Sequence, residues 1–223
     1  DFNKPITAIP VFLTRNFHHW AMMYNVHSGI RSPKDLERRN VGVNRGYTVT
    51  TGLWARGILQ TEYDVDLNSI TWFPTDDEHV QEYQAPPNVL SEHRGKDLAD
   101  LLLTGEIDAA VGDIRVDSSN VQPLIPDAPN AELQYFCKTG VYPINHGLVI
   151  KNSLLETEPW IAEEVFCTFK AAKEAYLVHL ASGKDLTTYD ETALALQHIV
   201  GADPFPYGIS PNFKALEMMT QLA

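Results

Sequence analysis

Apolar and polar positions along the chain fall into three kinds of pattern. Ile6–Leu13, Trp20–Val26, Asn40–Val43, Ser69–Phe73, Asp108–Gly112 and Tyr142–Ile150 are short apolar runs bounded by turn residues, which predicts strands. Thr50–Tyr63, Lys96–Thr104, Pro159–Leu180, Tyr189–Val200 and Pro211–Leu222 repeat their apolar residues at helical spacing. In the first of these helices Leu53, Trp54, Gly57, Ile58 and Thr61 share one side, with Gly57 allowing close packing. Ser32-Pro33-Lys34-Asp35-Leu36 is a helix start, with Ser32 as cap, Pro33 in the first turn and Asp35 at the positive end of the dipole.

The remaining stretches are polar or rich in proline. Pro74–Gly95 reads as a connection with a short strand near Val89–Leu90, Ser118–Asn130 as a loop, and Asp203–Ser210 as a rigid loop. Strands and helices alternate through the middle of the chain, which predicts an α/β protein with a mostly parallel sheet.

Composition narrows the function classes. The 223 residues are 44% hydrophobic and 21% charged, enough for one large domain or two small lobes. A formal net charge of -12, with no run of Lys and Arg, sets nucleic acid aside as a partner. No apolar stretch approaches the roughly 20 residues that cross a bilayer, and residues 1–10 lack the order of a signal peptide, so no membrane insertion is expected. The chain opens abruptly on an apolar run, which leaves room for upstream residues and a signal among them. Cys137 and Cys167 make no disulfide framework, and Cys167 reads as a small buried hydrophobe within a helix. No CxxC or HExxH spacing occurs, so no cofactor or structural zinc is expected; His18, His19 and His146 have no ligand spacing that decides on a divalent metal.

The turn from Asn44 to Thr51 is the most informative segment. A strand entering a Gly- and Thr-containing turn before a helix aims backbone N–H groups at whatever lies there, and the helix dipole favours an anion. Thr48, Thr50 and Thr51 offer hydroxyl donors; the competing reading is that one threonine caps the helix and the others face water. The absence of Gly-Lys-Ser/Thr disfavours a nucleotide. Arg56, two turns into the helix, either reaches a carboxylate as a fork or pairs with an acid such as Glu62. Arg15, His18 and His19 lie near a strand end, and His146 interrupts an apolar strand, where it is hydrogen-bonded for structure or aimed into a cleft. Asp76-Asp77-Glu78 reads as a solvated acidic loop.

Val41-Gly42-Val43, Thr50, Trp54-Ala55-Arg56-Gly57-Ile58-Leu59 and Glu62-Tyr63 together resemble the central signature of the 4,5-dihydroxyphthalate decarboxylase family. Four further stretches agree: Ala8–Phe12 with Arg15 and His19; Ser28–Arg31 with Asp35-Leu36; Thr139-Gly140 with Pro143-Ile144 and His146; and Pro206-Tyr207-Gly208. The resemblance implies a two-lobed α/β fold of the type II periplasmic-binding-protein kind, with mixed, mostly parallel sheets flanked by helices. It implies one lobe from residues 1–26 and 146–223, incomplete at its N-terminus, a second from 27–145, and a ligand cleft between them. It further implies non-oxidative decarboxylation of a hydroxylated aromatic acid. His19 and His146 would donate the proton, while Arg15, His18, Tyr47, Thr48, Thr50, Thr51, Arg56 and Tyr207 would bind the substrate. The alternative is a solute-binding protein that delivers a small organic anion to a transporter. The enzyme would be cytoplasmic and the binding protein periplasmic; neither reading specifies an oligomeric state. Three features depart from the family pattern: His18 stands where arginine is frequent, the 44–48 turn is one residue longer, and Pro74–Glu92 differs where it would border the cleft.

Overall fold

The computed structural model describes residues 3–223 as a mixed α/β protein. Its chain divides into two compact units. Unit one comprises residues up to Asn16 and Phe136–Met218, and unit two comprises Phe17–Tyr135 and Met219–Ala223.

Unit two is built on a five-stranded sheet. Its strands are β2 (Met22–Asn25), β3 (Asn40–Val43), β4 (Thr71–Pro74), β5 (Ala109–Val111) and β6 (Val121–Pro123), in the order β4-β3-β5-β2-β6. The β3 strand runs parallel to both β4 and β5, with Val41 opposite Trp72 on one side and Ala109 on the other. The β2 strand is antiparallel to β5 and β6, so the sheet is mixed. Val41 and Val43 are fully buried, as expected of a central strand covered on both faces. Between them Gly42 is required by packing: a Cβ there would lie 2.4 Å from Leu98 Cδ1 and 2.6 Å from Ile107 Cδ1.

Helix α1 (Thr50–Tyr63) buries Trp54, Ala55, Ile58 and Leu59, and ends on Asp64 in the left-handed conformation. Helix α2 (Leu98–Thr104) starts on Asp97, whose side chain accepts the Asp100 N–H, and stops at Gly105 (φ 78°). The Ser32 start opens only a short 3-10 turn, Pro33–Leu36, where the Asp35 carboxylate accepts the N–H groups of Arg31 and Ser32. The strand expected near Val89 reduces to a single parallel bridge to Trp72.

The expected loop over Ser118–Asn130 instead contains β6 and the start of helix α3 (Ala128–Thr139). Two of its three prolines mislead because they occupy tolerated positions. Pro123 ends an edge strand and Pro129 lies in the first turn of a helix, where a missing N–H costs nothing.

In unit one, β1 (Ile6–Arg15) and β7 (Ile144–Lys151) form an antiparallel pair with register shifts between Ile9 and Arg15. Ile9, Val11 and Ile150 make its core, covered by Ile161, Val165, Phe166 and Phe169. These four belong to the longest helix, α5 (Ile161–Ser182), which follows the short α4 (Asn152–Thr157). Only Leu180 of α5 is fully buried. Cys167, expected inside, is therefore exposed, as is Cys137, and both are free. Helix α6 (Thr188–Val200) is capped by Thr187, and α7 (Phe213–Leu222) ends the chain after a 3-10 turn at Ser210–Asn212. Among the described residues no helix is long and apolar enough to cross a membrane.

Candidate functional site

The turn between β3 and α1 is assembled from both neighbouring strands. Thr75, just past β4, donates its N–H to the Val43 carbonyl (3.1 Å) and accepts the Arg45 N–H on its hydroxyl (3.0 Å). Arg45 takes a positive φ of 65°, which reverses the chain before Gly46. Helix α1 then begins on Val49, which has no side chain able to cap it. Neither Thr50 nor Thr51 is the cap; both lie half-buried inside the first turn. The helix start therefore has no side-chain cap, which removes the reading in which one threonine caps it.

Arg56 is 5% exposed and folds back toward this turn. Its Nη2 donates to the Tyr47 carbonyl (2.7 Å) and its guanidinium lies 3.7 Å from the centre of the Tyr47 ring. Tyr47 meets Trp72 edge-on at 6.1 Å. Arg56 Nη1 has no hydrogen-bond partner among the described residues and stands 3.1 Å from where a Cβ on Gly52 would lie. Burial lowers the Arg56 pKa, opposed by Tyr47, Tyr83 and Glu78. A cavity of about 240 Å³ opens beside Tyr47, Thr48, Leu53, Arg56 and Tyr83. Tyr47, Thr48 and Arg56 therefore come together as expected.

The acidic loop does more than face solvent. Glu78 accepts the Tyr47 N–H, the Thr48 N–H and the Thr48 hydroxyl, so the turn's own donors hold a carboxylate of the protein. Its place in an acidic run hid this role, because the contact spans 30 residues of sequence.

His18 and His19 are each 1% exposed and belong to unit two. The His19 ring meets Tyr135 edge-on at 5.4 Å, and its Nδ1 has no hydrogen-bond partner among the described residues. Burial lowers its pKa to about 4, so the imidazole is neutral at pH 7. One helical turn before Tyr135, burial pushes the Glu132 carboxyl up to about 7, a residue the sequence pattern did not single out.

Arg15, His146 and Tyr207 belong to unit one. Arg15 donates through Nη1 to Asn212 Oδ1 and through Nη2 to the Tyr142 carbonyl, both at 2.7 Å. Asn212 in turn donates to the carbonyls of Pro206 and Gly208, which ties the end of β1 to the 203–210 loop. Burial brings the Arg15 pKa down to about 10. This clasp borders a cavity of about 390 Å³ that also meets Asp203, Phe213 and Lys214. His146 is exposed on β7 opposite Thr14 rather than packed in a core, since half of the strand's residues are exposed. Tyr207 packs on the Ile9–Val11–Ile150 cluster beneath Lys173. Among the described residues no three His, Cys, Asp or Glu side chains are grouped to hold a metal ion.

The fold and turn define a mixed α/β protein with an uncapped helix start and a buried arginine beside it. The chain is similar to a 4,5-dihydroxyphthalate decarboxylase of Comamonas testosteroni, 28% identical over 227 aligned positions that cover 94% of this chain and 68% of the relative. It is also similar to a protein of the same name from Pseudomonas putida, 29% identical over 116 positions, covering 49% of this chain and 45% of that one. No family model matches the chain. Among solved structures, the desulfurization enzyme DSZB matches 98% of this chain and 72% of its own at a TM-score of 0.48 and 14% identity. The periplasmic aliphatic sulphonate binding protein SsuA from Escherichia coli matches 98% and 68% at 0.46 and 12%.

Proposed function

We propose that this protein is a non-oxidative decarboxylase of a hydroxylated aromatic carboxylic acid. The observation that carries this reading is the likeness to the Comamonas testosteroni decarboxylase, sustained over 94% of the chain. Arg56 supports it, as a buried cation with an unspent N–H group beside an open helix start.

Decarboxylation exchanges a carbon–carboxylate bond for a carbon–hydrogen bond: a proton reaches the ring carbon, the bonding electrons to the carboxylate stay with the ring, and carbon dioxide leaves. A ring hydroxyl supplies electron density for protonation. Only contacts stronger in the transition state accelerate the step, so the protein must grip a group that stays and leave the departing carboxylate poorly solvated. Arg56 and the amides of Thr50 and Thr51 suit the retained anion, with Tyr47 and Thr48 as walls. His19 or His146 is the proton carrier. His19 is neutral when empty, and a carboxylate brought near it raises its pKa toward the range of a working acid. His18 is a further candidate for substrate contact in unit two and Tyr207 in unit one, where Arg15 holds the 203–210 loop in place.

Incubation with 4,5-dihydroxyphthalate and dihydroxybenzoates, followed by product analysis, tests the reading. The expected outcome is carbon dioxide and the protonated arene, with His19→Ala and His146→Ala each lowering kcat about 100-fold or more. Unchanged turnover in both variants removes the histidines from these roles. Tight binding with the acid recovered intact replaces the enzyme with a solute-binding protein.

A further inference from the structure

Glu78 reaches the turn before α1 from a strap, residues 75–95, whose ends are drawn together by the Gly95 N–H on the Thr75 carbonyl (2.7 Å). Its two carboxylate oxygens are divided between Tyr47 N–H (2.5 Å) and Thr48 N–H (3.0 Å), and the second also accepts the Thr48 hydroxyl. A Cβ on Gly46 would come within 2.9 Å of Glu78 Oε2, so the glycine leaves the space the carboxylate uses. Arg56, stacked on Tyr47, keeps its buried Nη1 unpartnered behind the same turn. Donors suited to an incoming carboxylate are therefore held by an internal one, while the adjoining cation retains spare capacity.

We propose that Glu78 is a built-in competitor for the carboxylate seat of unit two, and that it sets the affinity and selectivity of that seat. Displacing it exchanges one carboxylate for another at the turn, so the turn contributes little net attraction. A ligand gains only what it adds beyond that exchange, namely contact with Arg56 and burial of a ring. A monocarboxylate must choose between the turn and Arg56, whereas an aromatic dicarboxylate can engage both. This inference rests on the proposed reading of the ligand as an aromatic carboxylate.

Calorimetric titration of the wild-type protein, Glu78→Gln and Glu78→Ala with phthalate and with benzoate tests it, with melting temperature recorded for each. Removing a competitor that occupies the seat most of the time tightens binding of a ligand that needs the seat by the inverse of the fraction left open, so Glu78→Ala should bind phthalate about tenfold tighter. Phthalate, which needs the turn as well as Arg56, should gain the full factor and benzoate, free to use Arg56 alone, less, so the preference widens; Glu78→Gln should fall between. If Glu78→Ala does not fold, Glu78→Gln, which keeps the shape and one acceptor, gives the same comparison. Unchanged or weaker binding in folded variants makes Glu78 a structural cap and overturns the inference, while wild-type binding keeps the carboxylate reading. No binding of either acid by wild type or variant overturns that reading and this inference with it.

Discussion

Arg15 and Arg56 are the same residue type at similar burial, 9% and 5% exposed, and their N–H groups are spent differently. Arg15 gives both terminal nitrogens to its own unit, one to the Asn212 side chain and one to the Tyr142 carbonyl. Among the described residues Nε has no partner, and the guanidinium acts as the pin of a clasp on the 203–210 loop. Arg56 gives one terminal nitrogen to a carbonyl, covers Tyr47 with its flat face and leaves Nη1 unspent. A buried guanidinium whose two terminal nitrogens are both engaged is fixed within the fold, whereas one with a terminal nitrogen in reserve keeps half of its fork available. Burial alone does not separate the two.

The largest effect that can break this contrast is at Arg56. Arg56→Met should lower kcat/KM, or carboxylate affinity if turnover is absent, about 100-fold, because truncating a buried charged partner costs far more than trimming a surface one. Arg56→Lys keeps the charge but loses the fork and the stacking, and should recover only part of it. Titration of the folded variants decides the matter, and wild-type affinity in Arg56→Met would remove the arginine from the site.

Arg15→Met should act on stability instead. It removes two hydrogen bonds to a charged group and leaves Asn212 and the Tyr142 carbonyl without that donor, a loss of about 3 kcal/mol in urea unfolding with carboxylate affinity nearly unchanged. Loss of binding in a folded Arg15→Met protein would erase the distinction between clasp and seat.

The smallest effect is in pH. His19 has a folded pKa of about 4, below its unfolded value near 6.5, so below that unfolded value the unfolded chain binds a proton that the folded one refuses. Its contribution to stability is therefore fully present above pH 6.5 and is lost as pH falls toward 4, about 2 kcal/mol of it by pH 5. His19→Gln should flatten this fall in melting temperature between pH 7 and 5. Glu132, raised to about 7, contributes the opposite trend, losing stability as pH rises from the unfolded carboxyl value toward 7, and it does so in both proteins, so the difference between them isolates His19.

Much of the fold was legible because its signals are local. Thr50–Tyr63 was predicted to the residue, since an apolar stripe with no internal proline leaves one periodicity to fit. Gly105 ended α2 as expected because a left-handed stop suits glycine. Proline-bearing β6 and α3 were missed because an edge position and a first helical turn remove the usual penalty, and neither position can be read without neighbours. Cys167 was misplaced for a related reason: helical periodicity marks an apolar stripe, but how much of the helix is covered depends on what packs there.

At the site, the residue types and the helix start followed from sequence alone. Strand, turn and helix are contiguous, and an uncapped helix carries its amides and dipole wherever it folds. What each donor holds was decided by tertiary structure. Glu78 reaches Thr48 across 30 residues, and Arg15 reaches Asn212 across 197. Hydrogen bonds are short and directional, so partners that far apart in sequence are chosen by the packing that brings them within 3 Å. Sequence thus determined that a helix starts after β3 and its turn, and only the folded chain decided that one of the protein's own carboxylates rests on that turn.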